Sequence, residues 1–233
     1  RLIHLIDSEG RKWQADIFVI NADAALFRGK ILGRRSFSEE KMKRMNWTMG
    51  YLTFYIGVNC RLDDVNHHNY FLGSNYREYA GSIVNSPDSP EKPYYYVNVI
   101  SRHNPECAPE GCEALFFVCP VPNLLFKEKW NDKESIVDSI LADFEKRINK
   151  EIMSHIVSRT IFTPEDWKEQ YNLYMGSGLG LSHTMSQIGG FRPKNKDEKF
   201  RNLFYVGAST VPGAGLPMAI ISSGLVTQRI TGI

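Results

Sequence analysis

The stretch NLFYVGASTVPGAGLPMAIISSGLVTQRI, residues 202–230, is the most informative part of the sequence about the fold. An apolar strand runs into a turn with glycines at 207, 213 and 215, and a helix begins near Leu216-Pro217. Glycine lets the backbone approach a ligand where a Cβ would clash, and proline is tolerated in a first helical turn. The free N–H groups at such a helix start stabilise negative charge, so the turn suits either a reduced flavin or a phosphate. A tight turn whose glycines only relieve strain is the alternative.

The composition limits the function classes. The chain has 233 residues, a net charge of +2 and 12% aromatic residues, which fits one large or two small globular domains. Basic residues are scattered among acids, so no nucleic-acid partner is expected. No apolar run is long enough to span a bilayer. The chain starts at Arg1 inside an apparent strand, without a leader, and is expected to be a piece of something longer.

The four cysteines, Cys60, Cys107, Cys112 and Cys119, form no CxxC pair, and free buried thiols are expected rather than a Cys107–Cys112 disulfide. His67-His68 is rejected as a metal site because neighbouring strand residues point to opposite faces. No metal site and no catalytic residue is assigned from the sequence.

Strand and helix patterns alternate along the chain. Two strands surround the turn at 7–10, and Ala15–Ala22 reads as a strand buried on both faces. Ser36-x-x-Glu39 predicts a short capped helix through Met45, and 85–93 reads as a loop. Further strands are predicted at 51–58, 68–72, 94–100, 114–119, 155–162 and 203–206.

A second helix follows Asn131, with Ile136, Ile140, Phe144, Ile148 and Ile152 as an apolar core stripe and Val137 and Leu141 beside it. Another helix begins at Thr163-Pro164. These elements predict an α+β fold: a mixed, largely antiparallel sheet with flanking helices, plus a partial Rossmann-like FAD-binding element.

The stretch 207–217 resembles the C-terminal flavin motif of phytoene desaturases, the carotenoid-forming FAD enzymes. Other segments resemble that family in the same order along the chain: 15–23, 51–58, 67–68, 96–98, 108–111, and 175–177 through 191–193. The resemblance implies FAD as cofactor, a long apolar polyene such as phytoene or diapophytoene as substrate, and hydride transfer to the flavin. It implies a cytoplasmic or peripheral membrane location and leaves the oligomeric state open.

The family's N-terminal GxGxxG unit is absent from this sequence, so the resemblance implies a fragment that lacks the N-terminal FAD-binding half. It implies returning strands at 1–23, a substrate-binding region at 24–175 and a C-terminal FAD segment at 176–233. The FAD contacts that it implies are Gly207, Ala208, Ser209, Thr210, Pro212, Gly213, Gly215, Leu216, Pro217, Met218 and Arg192.

Several alternatives stay open. Arg192 lies near the flavin or the substrate tunnel, or forms an ordinary salt bridge; His183 lies near the substrate or is structural. The rival functions are a retinol saturase-like or ketolase-like flavoprotein, an amine oxidase, or a non-catalytic module that binds an apolar ligand. Ala208, where related amine oxidases carry an acid, and the absence of an aromatic residue at 216–218 argue against an amine substrate.

Overall fold

The computed structural model describes residues 1–73, 75–85 and 94–232, with the side chains of residues 84 and 85 excepted. Along the chain the strands are β1 (His4–Ile6), β2 (Lys12–Gln14), β3 (Phe18–Ile20), β4 (Gly50–Val58), β5 (His68–Phe71), β6 (Tyr95–Val99), β7 (Glu113–Val121), β8 (Ile156–Phe162) and β9 (Leu203–Tyr205). The helices are α1 (Ala24–Leu26), which continues as a π-helix (Phe27–Ile31), α2 (Glu39–Lys43), α3 (Tyr76–Asn85), α4 (Lys133–Ile148), α5 (Pro164–Tyr171) and α6 (Leu216–Thr231), with several short 3₁₀ turns between them. No helix in the described ranges has the length and apolar character that crossing a bilayer requires.

The chain divides into two units. Unit 1 contains residues 1–48, 172–174 and 179–233, and unit 2 contains residues 49–171 and 175–178. The boundary that the resemblance implied at 23/24 therefore lies inside unit 1, and the one at 175/176 lies inside a short segment of unit 2.

Unit 2 is built on a five-stranded sheet in the order β5-β6-β7-β4-β8, with every neighbouring pair antiparallel. Strict alternation of buried and half-buried residues along β7 turns one face of the sheet towards α4. Phe54 stacks on Phe117 at 4.4 Å between ring centroids, and Phe144 of α4 meets Phe117 edge-on at 5.2 Å. These aromatic contacts join α4 to the sheet. The antiparallel sheet with a helix packed on it confirms the predicted α+β fold.

The predicted apolar stripe of α4 is core. Val137, Ile140, Leu141 and Phe144 are fully buried. The helix begins at Lys133, with Asp132 rather than Asn131 at its cap position, and it ends at Ile148 because Asn149 adopts the left-handed conformation. Ile152, predicted to lie on the same helix, is buried after the chain has turned back.

The start of α5 follows the predicted cap. Asp166 Oδ2 accepts from the Thr163 amide at 2.7 Å, and the Asp166 amide donates to Thr163 Oγ1 at 3.3 Å. This reciprocal arrangement satisfies two amides at the helix start, as a capping box does.

Unit 1 contains the predicted hairpin, β1 with β2, and a parallel pair, β3 with β9. The prediction that 15–22 forms one strand buried on both faces is wrong. Only Phe18–Ile20 is a strand; Phe18 and Ile20 are buried while Val19 is 47% exposed. The cause is that one face of β3 packs on a small core, formed with Leu203 and Tyr205, while Val19 points away from it.

Three local predictions need correction. Ser36 lies in a 3₁₀ turn, and α2 instead begins after Ser38, without a side-chain cap, and ends at Lys43. The bounds of the six other predicted strands, at 51–58, 68–72, 94–100, 114–119, 155–162 and 203–206, shift by at most two residues, and α3 was not predicted. Of the predicted loop at 85–93, Asn85 ends α3 and residues 86–93 lie outside the described ranges.

All four cysteines are free, as expected, but only Cys119 is a buried thiol. Cys107 is exposed, and Cys60 and Cys112 are half-buried.

Replacement of Ile140 by Asp should destabilise unit 2 strongly. Ile140 is fully buried against the sheet, so the carboxylate would lose its hydration without gaining a partner. We expect the free energy of unfolding to fall by at least about 3 kcal/mol in chemical denaturation. Ala142→Asp, on the exposed side of the same helix, is the control and should cost far less. An unchanged midpoint for Ile140→Asp would show that this face is not core.

Candidate functional site

The glycine-rich turn of unit 1 joins β9 to α6. Gly207 has φ +98 and Gly215 has φ +121, conformations that side chains rarely adopt. The first helical hydrogen bond runs from the Ala219 amide to the Gly215 carbonyl at 2.9 Å. The amides of Leu216 and Met218 therefore precede the hydrogen-bonded ladder, and Pro217 has no N–H. The helix start presents amide donors, and no acidic residue lies in its first turn.

Arg192 holds this turn from its inner side. The guanidinium is 1% exposed and donates to five backbone carbonyls. The acceptors are Thr210 (Nε, 3.1 Å), Ser182 (Nη1, 3.2 Å), Gln187 (Nη1, 3.0 Å), Leu181 (Nη2, 2.9 Å) and Ala208 (Nη2, 2.6 Å). Five is the full donor count of an arginine. Arg192 thus ties the segment 181–187 to the turn at 208–210.

This arrangement decides what Arg192 can do. Among the described residues no carboxylate lies within salt-bridge distance of Arg192, so the predicted ordinary salt bridge is not found there. Burial lowers the pKa of the guanidinium, and the more distant Asp23 raises it. Since every donor is used, the guanidinium acts on the site through the backbone that it orders. The guanidinium binds carbonyl groups of the turn, and the amides at the start of α6 remain without such a partner from Arg192.

Asn195 is a second residue that holds the glycine-rich turn in place, and its role was not predicted from the sequence. Its amide nitrogen donates to the carbonyls of Tyr205 at 3.2 Å and Val211 at 2.7 Å, so it joins the end of β9 to the turn. Ser222 of α6 accepts from the Gly207 amide at 3.3 Å and ties the helix to the same turn. The one available signal was an amide side chain three residues after Arg192 in a charged stretch.

The exposed side chain of His183 contacts the glycine-rich turn within unit 1. Its Nε2 accepts from the Ala214 amide at 3.1 Å, and a Cβ on Gly213 would lie 2.3 Å from that nitrogen. Gly213 is therefore needed so that the histidine can approach. Burial, and then the charge of Arg192, lower the pKa of His183 and favour the neutral ring that this hydrogen bond requires.

Asp23 and Ser209 support the turn from the β3 side. Asp23 caps α1 by accepting from the amides of Ala25 and Leu26, both at 3.0 Å. Burial raises the pKa of Asp23, while these amides and the Ser209 hydroxyl lower it. Ser209 is buried against Gly180, where a Cβ would lie 2.4 Å from the hydroxyl.

The predicted FAD contacts lie on the glycine-rich turn and the start of α6, except Arg192, which contacts the turn. They differ in solvent exposure. Ser209, Thr210, Gly213 and Arg192 are buried; Gly207, Ala208, Pro212 and Met218 are half-buried; Gly215, Leu216 and Pro217 are exposed. The exposed end and its amides fit a negatively charged ring edge, such as that of a flavin. The buried members can only shape the turn.

Unit 2 carries a second candidate surface. The sheet face opposite α4 is lined by aromatic side chains, here called the aromatic sheet face: Tyr51, Tyr55, Tyr70, Tyr96, Phe116 and Phe162. Tyr55 stacks on Phe116 at 4.9 Å, and Tyr70 lies 5.0 Å from Tyr96. A cavity of about 300 Å³, the tyrosine cavity, opens on this face, lined by Tyr51, Tyr70, Leu72, Tyr94, Tyr95, Tyr96, Val118 and Pro120. The lining suits an apolar ligand.

The prediction that His67 and His68 point to opposite faces is wrong. The two rings lie 4.1 Å apart, because the strand begins only at His68. His67 Nδ1 is hydrogen-bonded to the Val99 carbonyl at 2.9 Å, and His68 Nδ1 to the Tyr96 hydroxyl at 2.6 Å. Within the described ranges no group of three metal-binding side chains is found.

Arg192→Lys should destabilise unit 1. Lysine offers three donors from one atom, so at least two of the five buried carbonyls would lose their partner. We expect the free energy of unfolding to fall by about 2 kcal/mol or more in urea. Arg201→Lys, at an exposed position, is the matched control and should be neutral. Equal stability of the two variants would contradict the stabilising role of the five Arg192 hydrogen bonds.

The stability of unit 1 should fall in mild acid because of His183. Folding lowers the pKa of His183, so as the pH falls below about 6.5 the unfolded chain binds more protons than the folded one. The stabilisation is therefore present above this pH and is lost below it. His183→Gln retains an acceptor that does not titrate, so its denaturation midpoint should fall less between neutral pH and mild acid. The same pH dependence in both proteins would remove His183 as the cause.

Comparisons with known proteins identify relatives but no family model matches the chain. The chain is 36% identical over 228 residues to a zeta-carotene-forming phytoene desaturase of Myxococcus xanthus, which covers 95% of the chain and 43% of that protein. It is 32% identical to a phytoene desaturase of Fusarium fujikuroi, over 96% of the chain and 43% of that protein. A 4,4'-diapophytoene desaturase of Staphylococcus haemolyticus is 32% identical over 84% of the chain and 40% of its own length.

Among solved structures, an oxidoreductase from Methanosarcina mazei shares the fold, with a TM-score of 0.57 and 16% identity over 97% of the chain and 48% of that protein. The chain spans less than half of the length of the curated relatives it matches. It is a homologue of the phytoene desaturases over nearly all of its own residues.

Proposed function

We propose that this chain is the C-terminal part of an FAD-dependent desaturase that removes hydrogens from a long apolar polyene such as phytoene or diapophytoene. The observation that carries the proposal is the similarity to phytoene desaturases over 95% of the chain, combined with an open helix start at the residues expected to meet FAD. An amine oxidase, a retinol saturase-like or ketolase-like enzyme, and a non-catalytic module are the competing outcomes of the test below.

FAD would be held here by the exposed end of the glycine-rich turn. The amides of Gly215, Leu216 and Met218 would face the electron-rich edge of the ring, where the helix dipole favours negative charge. When bound, FAD supplies the hydride acceptor of the reaction. Arg192 and Asn195 would act by keeping the turn in the conformation that points these amides outward.

The aromatic sheet face would bind the substrate. A hydrocarbon has no polar group to recognise, so its binding depends on buried apolar area and on ring contacts. Tyr70 is 74% exposed and Leu72 is 62% exposed beside the tyrosine cavity, so apolar surface is available to such a ligand. The same apolar exposure would favour peripheral contact with the membrane in which such a substrate dissolves.

The pyrophosphate of FAD would be bound by a segment outside this chain. The relatives are more than twice as long as the part that matches, which leaves room for a nucleotide-binding half. In unit 1, Val19 (47%) and Leu216 (79%) are exposed apolar residues that such a half would cover.

The test is flavin content and turnover of the full-length protein that contains this chain. We expect it to purify with FAD and to convert phytoene into products with more conjugated double bonds, without turnover of amines or retinol. Gly215→Val should lose most of the flavin, since valine cannot adopt φ +121 without moving the helix start.

The matched control is Gly224→Val on the exposed side of the same helix, where a Cβ meets no atom within 4 Å. It should retain both flavin and turnover. Full flavin content in Gly215→Val would contradict the proposed cofactor site, and turnover of an amine or of retinol alone would replace the proposed substrate class.

A further inference from the structure

A second cavity of unit 2 lies at the Tyr55–Phe116 end of the aromatic sheet face. It has a volume of about 540 Å³ and lies over the β4-β7-β8 side of the sheet, and we call it the end cavity. Among its lining residues are Tyr55, Asn98, Ile100, Ala108, Phe116 and Thr160.

The end cavity and the tyrosine cavity lie on the same sheet face. On β7, Phe116 lines the end cavity and Val118 the tyrosine cavity; on β6, Asn98 and Tyr96 divide in the same way. Residues two apart on a strand share a face and are about 7 Å apart. Between Ala114 and Pro120, which line the two cavities, β7 spans about 20 Å. The two cavities thus lie in line along one face of the sheet, and a long ligand laid along this face would span both.

The end cavity offers no free charge to a ligand. Its charged lining residue is Glu113, whose carboxylate is fully buried. That carboxylate accepts from the Ser101 hydroxyl and from the Leu62 amide at 3.3 Å, and it pairs with Arg61 at 3.2 Å. The Asn98 amide nitrogen, another polar lining group, donates to the His67 carbonyl at 3.1 Å. A ligand of this cavity would therefore be bound through its apolar surface.

The loop 104–112 borders the end cavity on one side. Two successive turns build it: the Cys107 amide donates to the Asn104 carbonyl at 3.0 Å, and the Cys112 amide donates to the Pro109 carbonyl at 3.0 Å. Pro105 and Pro109 fix the backbone, and Gly111 at φ +76 allows the second turn. Ala108 stands between the turns and contributes a single methyl group to the lining. A loop that borders a cavity and presents a small residue to it can limit how far a long ligand extends.

We propose that the loop 104–112 is an end wall that seats one end of the polyene, and that Ala108 determines the chain length accepted. This inference rests on the proposed function and deepens it, since it assigns the aromatic sheet face a closed end. A larger side chain at 108 would reduce the length of ligand that the end cavity accepts, and a smaller one at Ile100 would increase it.

The test compares two polyenes of different length, phytoene and the shorter diapophytoene, in the full-length protein. Ala108→Phe should lower kcat/KM for phytoene by about tenfold or more relative to diapophytoene, because a hydrophobic pocket discriminates by that order per displaced group. Ala142→Phe adds the same side chain on the exposed side of α4 and should leave the ratio unchanged. Ile100→Ala, at a 41% exposed position, should shift the ratio towards the longer substrate and keeps the test valid if Ala108→Phe does not fold.

The outcomes separate the two proposals. If the wild-type protein turns over neither polyene, the proposed function fails and the end wall fails with it. If the wild type is active but neither Ala108→Phe nor Ile100→Ala changes the ratio of the two substrates, the end wall alone is overturned.

Discussion

The ordering of unit 1 depends on one buried guanidinium. Arg192 donates all five of its hydrogen bonds to carbonyls of two segments that are otherwise irregular, 181–187 and 208–210. A buried carbonyl without a partner costs about 1–3 kcal/mol, so the two segments have little choice of conformation once Arg192 is in place. The consequence reaches α6, whose start must follow the turn through Gly215 and so presents its free amides outward.

The same logic explains why so few charged groups are found at the candidate sites. In the turn, Arg192 and Asn195 take up carbonyls and His183 takes up one amide, so what remains is a set of donors. At the end cavity, the buried carboxylate of Glu113 is fully occupied by its neighbours. Directed backbone dipoles suit a negatively charged ring edge and are found in unit 1, while apolar area suits a hydrocarbon and is found in unit 2; neither kind of site needs free charges.

Much of the fold could be predicted because it follows from local periodicity. The stripe at Val137, Ile140, Leu141 and Phe144 and the alternation of β7 specify which faces are buried. The prediction for 15–22 failed because a continuous apolar run does not reveal that Val19 has no neighbour on its outer side in this chain. The strand, turn and helix at 203–231 were also predicted from the local sequence. The hydrogen bonds of Arg192, Asn195 and His183 to that turn were not, since contacts across 16 or 31 residues leave no local pattern.

In the proposed function, electrons pass from a polyene to a flavin held at the turn. Anaerobic mixing of the flavin-loaded, full-length protein with phytoene in lipid vesicles tests this transfer when the absorbance of the oxidised flavin is recorded. We expect that absorbance to be lost in step with the formation of a more unsaturated product. Flavin that stays oxidised in the presence of phytoene and diapophytoene, but bleaches with an amine or with retinol, would contradict it.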